Sequence, residues 1–165
     1  MTAPREARPF DVCGPLPRGV TVLEASAGTG KTYTIAALAA RYVADGFPLE
    51  QLLLVTFTRM ATGELRNRVR QRLVSTELAL DAVLAGVPPD DRDEVVRVLA
   101  GGPEEEVRKR RDRLSRALAD FDAATIVTTH GFCQEVLGGL GVAGDVERES
   151  VFVCLLYTSP SPRDS

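Results

Sequence analysis

The residue types best suited to chemistry in this 165-residue chain fall in one short run, Ala25, Ser26, Ala27, Gly28, Thr29, Gly30, Lys31 and Thr32. Gly28 and Gly30 permit positive φ and close backbone approach, so successive amide N–H groups can turn inward toward phosphate oxygens. A helix beginning directly afterwards would add the partial positive charge of its N-terminus at the same point. Lys31 would then reach the β and γ phosphates of a nucleotide as a mobile point charge, and the Thr32 hydroxyl would coordinate Mg²⁺. The chain carries 18 Arg and only two Lys, which sets this lysine apart. The bland alternative is a Gly-rich turn that binds nothing.

Such a loop makes physical sense only between a strand and a helix. Residues 20–24 form a short β-branched, apolar run that reads as a buried strand. Residues 31–45 carry Ile35, Leu38, Ala39 and Tyr42 at helical spacing and stop at Gly46 before Pro48, which predicts a helix with a glycine C-cap. Residues 52–57 (LLLVTF) are continuously apolar, as suits a strand covered on both faces of a parallel sheet, and complete a strand–helix–strand unit. From Ala61 the pattern turns helical, with Leu65, Val69 and Leu73 four apart, and runs to about Leu84 before Gly86, Pro88 and Pro89. A short helix over 91–99 and a longer one over 103–120 follow, the latter opening on Pro103 and three Glu and closing on basic residues in accord with the helix dipole. Residues 125–129 (TIVTT) are the third strand candidate, and 130–137 a short helix closed by Gly138 and Gly139.

Composition bounds the function classes. The chain is 44% hydrophobic and 26% charged, the balance of a soluble globular protein of one domain. With 20 Lys+Arg against 23 Asp+Glu the net charge is −3, so it is not a globally basic nucleic-acid binder or a polybasic membrane-surface protein, and any anion site must be local. Cys13, Cys133 and Cys154 are scattered, without CxxC or metal-ligand spacing, which supports neither a disulfide framework nor a zinc site and fits a reducing cytoplasm. No signal-peptide core and no apolar window of about 18 residues occurs, so secretion and membrane insertion are not expected.

The loop begins with Ala25 where the common phosphate-loop pattern has Gly. EASAGTGKT thereby resembles motif I of superfamily 1 helicases of the UvrD/Rep type, in particular RecB-type helicase-nuclease subunits. Residues 55–66 (VTFTRMATGELR) are similar to that family's motif Ia, and residues 127–134 (VTTHGFCQ) resemble its TxHGF motif. The resemblance covers roughly residues 10–140 and implies an ATP-driven 3′-to-5′ DNA translocase and helicase. It assigns ATP to residues 25–32, with Mg²⁺ on Thr32. It also assigns single-stranded DNA to Thr56, Phe57, Thr58, Arg59, Arg66, Thr128 and His130. On the residues alone, Phe57 is more simply core, Arg59, Arg66, Arg68, Arg70 and Arg72 a solvated helix face, His130 a structural or surface residue, and Cys133 a small buried one. The basic run at 108–113 is most simply paired with Glu104, Glu105 and Glu106. No Gln stands in residues 10–18, where many relatives recognise adenine.

The fold expected is α/β, a P-loop NTPase (RecA-like) parallel sheet, incomplete and with helical insertions. A lead-in occupies 1–19 and the first part of motor domain 1A occupies 20–130, with a helical insertion at about 79–120. The start of a helical 1B-like region follows at 131–153. Residues 154–164 resemble a translated sequencing adapter, so 154–165 read as a non-native tail on the front end of a longer protein. Walker B carboxylates, a second motor domain and a nuclease cluster are not visible, so the chain itself is expected to lack ATPase turnover. The resemblance implies DNA ends and RecC- and RecD-like subunits as partners. A UvrD/Rep-type or AddA-like repair helicase is the nearest alternative; a small stand-alone P-loop protein and a non-enzymatic fragment are more distant ones.

Overall fold

The structure, a computed structural model, describes residues 8–26, 28, 30–140 and 151–154. Its centre is helix α1 (Lys31–Asp45), buried without interruption from Ile35 to Ala44. Five of those ten residues are alanine, and side chains this small let α2 (Arg59–Leu84) and α4 (Glu104–Ala119) pack closely on it. Gly46 ends α1 at φ 115, donating its N–H to the carbonyls of Tyr42 and Val43, as the glycine stop predicts.

Strand β1 (Leu52–Thr56) lies between two parallel partners, β2 (Thr125–Thr128) and β3 (Val151–Cys154), in the order β2-β1-β3. Leu53 pairs with Thr125 and Thr56 with Thr128, so these two strands end level. On the other edge Leu52 pairs with Val151 and Val55 with Cys154. On α2 the buried residues Leu65, Val69, Leu73, Thr76 and Leu80 form one stripe at helical spacing. The short helix α3 (Glu94–Leu99) contributes Val95 and Leu99 to the same core, as α4 contributes Val107 and Leu114. Residues 79–120, expected as a helical insertion, are thus the end of α2 with α3 and α4, packed into the core of α1 and α2.

Three expectations are corrected. Residues 20–24 form no strand: Val20 is 98% and Val22 79% exposed. A strand exists only where its backbone finds a ladder partner; β1 is paired on both edges, by β2 and β3, and residues 20–24 join neither outer edge of the sheet. Helix α5 (Thr129–Leu140) runs through Gly138 and Gly139 instead of closing at them, since glycine lowers helix propensity without forbidding helix. Residues 151–153, expected as the end of a helical region, form strand β3 together with Cys154. Residues 141–150 and 155–165, including most of the expected tail, lie outside the described residues. Among the described residues no helix is long and apolar enough to cross a membrane.

Arginines close the open carbonyl ends of the helices. Arg113 donates to the Ala44 carbonyl at 2.8 Å near the end of α1, and Arg110 to Leu99 and Gly101 at 2.8 and 2.6 Å past the end of α3. Buried Arg41 donates to the carbonyls of Val12 and Gly14 and the Tyr42 hydroxyl to that of Pro17, fastening the lead-in to α1. Of the basic run, only Arg108 and Lys109 pair with the acidic first turn as expected, Arg108 with Glu104 at 2.7 Å and Lys109 with Glu105 at 2.9 Å, whereas Arg111 reaches Asp81 at 3.0 Å and Asp112 at 3.1 Å, and Arg110 and Arg113 take the carbonyls above.

Leu73 is fully buried where α2 enters the core. Leu73→Ala should cost about 2–5 kcal/mol in urea unfolding with the slope unchanged. A loss under about 1 kcal/mol would show that α2 does not pack as described.

Candidate functional site

Helix α1 starts at Lys31 with Gly30 as N-cap, at φ 84 and ψ 22, and no side chain caps it. The first ladder bond runs from the Thr34 N–H to the Gly30 carbonyl at 2.9 Å, which leaves the amides of Lys31, Thr32 and Tyr33 ahead of the ladder. Gly28 also has positive φ, 77°. A Cβ would meet nothing within 4 Å at Gly28 and only the Tyr33 Cβ, at 4.0 Å, at Gly30, so these glycines serve backbone conformation rather than space. The Lys31 Nζ donates to the carbonyls of Ala25 at 2.8 Å and Ser26 at 3.1 Å, which folds the ammonium back over the loop. Turned amides, an ammonium and a neighbouring hydroxyl form a donor set that fits a polyphosphate with its divalent cation. Ala27 and Thr29 of the expected loop lie outside the described residues.

This helix end opens onto a cleft of about 590 Å³ whose opposite wall is α2, through Glu64, Arg68, Gln71, Arg72 and Ser75. Arg72 is fixed by two hydrogen bonds of 2.7 Å to the Asp93 carboxylate, and its guanidinium lies 5.7 Å from the centre of the Tyr33 ring. Asp93 also caps α3, accepting from the Val96 N–H at 3.0 Å. Burial pushes the Asp93 carboxyl up, but the Arg72 hydrogen bonds and charge, with the Val96 and Val95 amides, outweigh it and hold the group below its ordinary value.

A second cleft, of about 380 Å³, adjoins the first and shares Lys31, Thr32 and Glu64 with it. Thr56, Phe57 and Thr58 at the end of β1 complete its wall. The Thr129 hydroxyl donates to the Thr56 carbonyl at 3.3 Å, which ties the end of β2 to the end of β1. The segments 56–58 and 128–130 therefore lie together at one edge of the sheet, beside the phosphate loop, although no strand leads into that loop. Several hydroxyls there have structural uses. Thr56 Oγ1 lies 2.6 Å from Thr62 Oγ1, Thr58 accepts from the Ala61 N–H at 3.1 Å as the cap of α2, and Thr128 accepts from the Gly131 N–H at 3.0 Å.

Phe57, Arg59 and His130 are exposed on this face. Arg66 donates to the Ala124 carbonyl at 3.2 Å and lies 5.9 Å from the Phe121 ring, so an outward contact by it requires releasing that tie. The arginines of α2 form no single face: Arg68 lies 4.0 Å from Glu64, Arg70 lies over Phe121, and Arg72 is held by Asp93. Cys133 is exposed rather than buried, because the first turns of α5 face outward with only Gly131 and Phe132 half-buried. Tyr33, Glu64 and Asp93 were not singled out from the sequence, and Arg72, read as part of a solvated helix face, is instead held by Asp93. A helical stripe at Glu64, Arg68, Gln71, Arg72 and Ser75 was the available signal, whereas the Arg72–Asp93 pair, 21 residues apart, left none.

A group with a lowered folded-state pKa stabilises fully above its unfolded value, about 3.9, and loses that contribution as the pH falls through the folded value. Asp93→Asn should therefore cost about 1–3 kcal/mol at neutral pH. In urea titrations the gap to the parent should narrow below about pH 4. A gap that does not change with pH would contradict the charged pairing with Arg72.

Residues 11–152 match the family model described as the UvrD/REP helicase N-terminal domain. The RecBCD enzyme subunit RecB of Mycobacterium tuberculosis (strain CDC 1551 / Oshkosh) is 51% identical over 139 residues, 82% of this chain and 12% of that protein. The protein of the same name from Escherichia coli (strain K12) is 36% identical over 131 residues, 73% of this chain and 10% of its own length. That from Haemophilus influenzae is 34% identical over 131 residues, 72% and 10% respectively. The chain thus spans 10 to 12% of the length of these curated relatives.

Proposed function

The chain belongs to the UvrD/REP helicase N-terminal domain family, and from that premise we propose that it is the ATP-binding front part of an ATP-dependent 3′-to-5′ DNA helicase of the RecB type. In the complete protein this part would work in the cytoplasm with RecC- and RecD-like subunits on DNA ends, in double-strand break repair and recombination. The observation that carries the reading is the uncapped start of α1, with Lys31 folded over the Ala25 and Ser26 carbonyls beside two glycines of positive φ. Amides and ammonium converging there suit the β and γ phosphates of ATP, with the Thr32 hydroxyl for Mg²⁺. When bound, ATP and Mg²⁺ supply the phosphoanhydride to be cleaved and the cation that neutralises its charge.

Single-stranded DNA fits the adjoining cleft. Phe57, 53% exposed at the end of β1, offers a face for a base to stack on, and the exposed Arg59 and His130 offer contacts to backbone phosphates. Thr56, Thr58 and Thr128 support this face by holding the strand ends and helix starts in place. The two clefts share the wall of Lys31, Thr32 and Glu64, which supports a reading in which the two ligands would occupy adjacent compartments.

Two substitutions test this. Lys31→Ala should weaken binding of Mg·ATP to the purified chain by about tenfold or more, since it removes a charge-assisted contact, while an oligo(dT) still binds. Unchanged nucleotide affinity would remove the basis of the reading. Phe57→Ala should weaken oligo(dT) binding by about fivefold or more with nucleotide affinity unchanged. Equal loss of both would mean that Phe57 only supports the fold.

A further inference from the structure

We propose that Glu64 makes the phosphate cleft selective for a nucleotide that carries its divalent cation over the bare polyphosphate. The inference rests on the nucleotide reading above and adds a residue to it. Glu64 is the one carboxylate among the described residues that line either cleft, and it lines both, together with Lys31 and Thr32. The charges around it are unevenly committed. The basic residues lining the first cleft are Lys31, Arg68 and Arg72, of which Arg72 is paired by two short hydrogen bonds with Asp93. Arg68 is the ion-pair partner of Glu64, at 4.0 Å, with both side chains about 60% exposed, a geometry in which the two attract only weakly.

A carboxylate on the wall of an anion cleft opposes an anion in proportion to the anion's charge. Bare ATP brings about four negative charges to that wall, and the magnesium complex about two. The cation is itself attracted to the carboxylate, directly or through its water shell. A wall built for bare phosphate would carry cations alone. Lys31, Arg68 and Glu64 together instead favour phosphate that arrives with its own positive charge.

The test is equilibrium binding of N-methylanthraniloyl-ATP to the purified 165-residue chain, in excess Mg²⁺ and in EDTA. Glu64→Gln should tighten binding in EDTA more than in Mg²⁺, so that the ratio of the two dissociation constants falls by about fivefold or more. Arg68→Gln should weaken binding in both conditions, and Glu64→Lys should lower the ratio further than Glu64→Gln and serves in its place if that variant fails to fold. A ratio within twofold of the parent's in the folded Glu64 variants overturns the inference alone, provided Lys31→Ala weakens binding by about tenfold or more. No binding by the parent, or binding that Lys31→Ala leaves intact, overturns the nucleotide reading and this inference with it.

Discussion

Helix α1 has to be core along most of its length and without a side-chain cap at its start. From Ile35 to Ala44 every residue is buried, so its position is set by the contacts of α2 and α4 around it. At Lys31 no side chain caps it, and the amides of Lys31, Thr32 and Tyr33 precede the first ladder bond, from the Thr34 N–H to the Gly30 carbonyl. A helix held this firmly presents its N-terminal amides at a fixed place, and an anion bound there need not order them. The two properties come from different sequence features. Alanines at 36, 37, 39, 40 and 44 permit close packing, and Gly30 at positive φ turns the chain into the helix without offering a capping oxygen.

The same economy explains much of the arginine. Arg41, Arg110 and Arg113 each reach main-chain carbonyls, two of them at helix ends and one on the lead-in, with a guanidinium that is less strongly hydrated than an ammonium. Arg66 and Arg72 likewise join α2 to β2's approach and to α3. An arginine-rich stretch on a chain of net charge −3 is thus consumed largely by its own fold, and of the basic residues lining the cleft at the start of α1, Arg72 is paired with Asp93 and Arg68 lies 4.0 Å from Glu64.

What could be read from the sequence was what depends on near neighbours. The span of α1 follows from apolar spacing and Gly46, that of β1 from a continuous apolar run, and the acidic start of α4 from the helix dipole. Partnership across the chain was not legible. The run at 20–24 has strand-like residues, yet whether it becomes a strand depends on which edge of β1 is free, and residues 151–154, about 100 positions away, occupy one. Arg72 and Asp93 look like ordinary surface charges until α3 folds against α2. The positive φ of Gly28 and Gly30 and the helix start at Lys31 were legible because they depend on local residue types. The strand-end face was legible only as motifs, and which of its residues point outward, Phe57 and His130 rather than Thr56, follows from tertiary hydrogen bonds.

The central claim is that one rigid helix start and one adjoining strand-end face serve two different ligands. Amide chemical-shift mapping of the isotope-labelled chain tests it most directly, with Mg·ATP and a short oligo(dT) titrated separately and then together. The account predicts that Mg·ATP moves the amides of Gly28, Gly30, Lys31 and Thr32, that oligo(dT) moves those of Phe57, Thr58, Arg59 and His130, and that both sets move when both ligands are present. One set of residues responding to either ligand, with each displacing the other, would contradict it, as would Mg·ATP shifts confined to residues away from the start of α1.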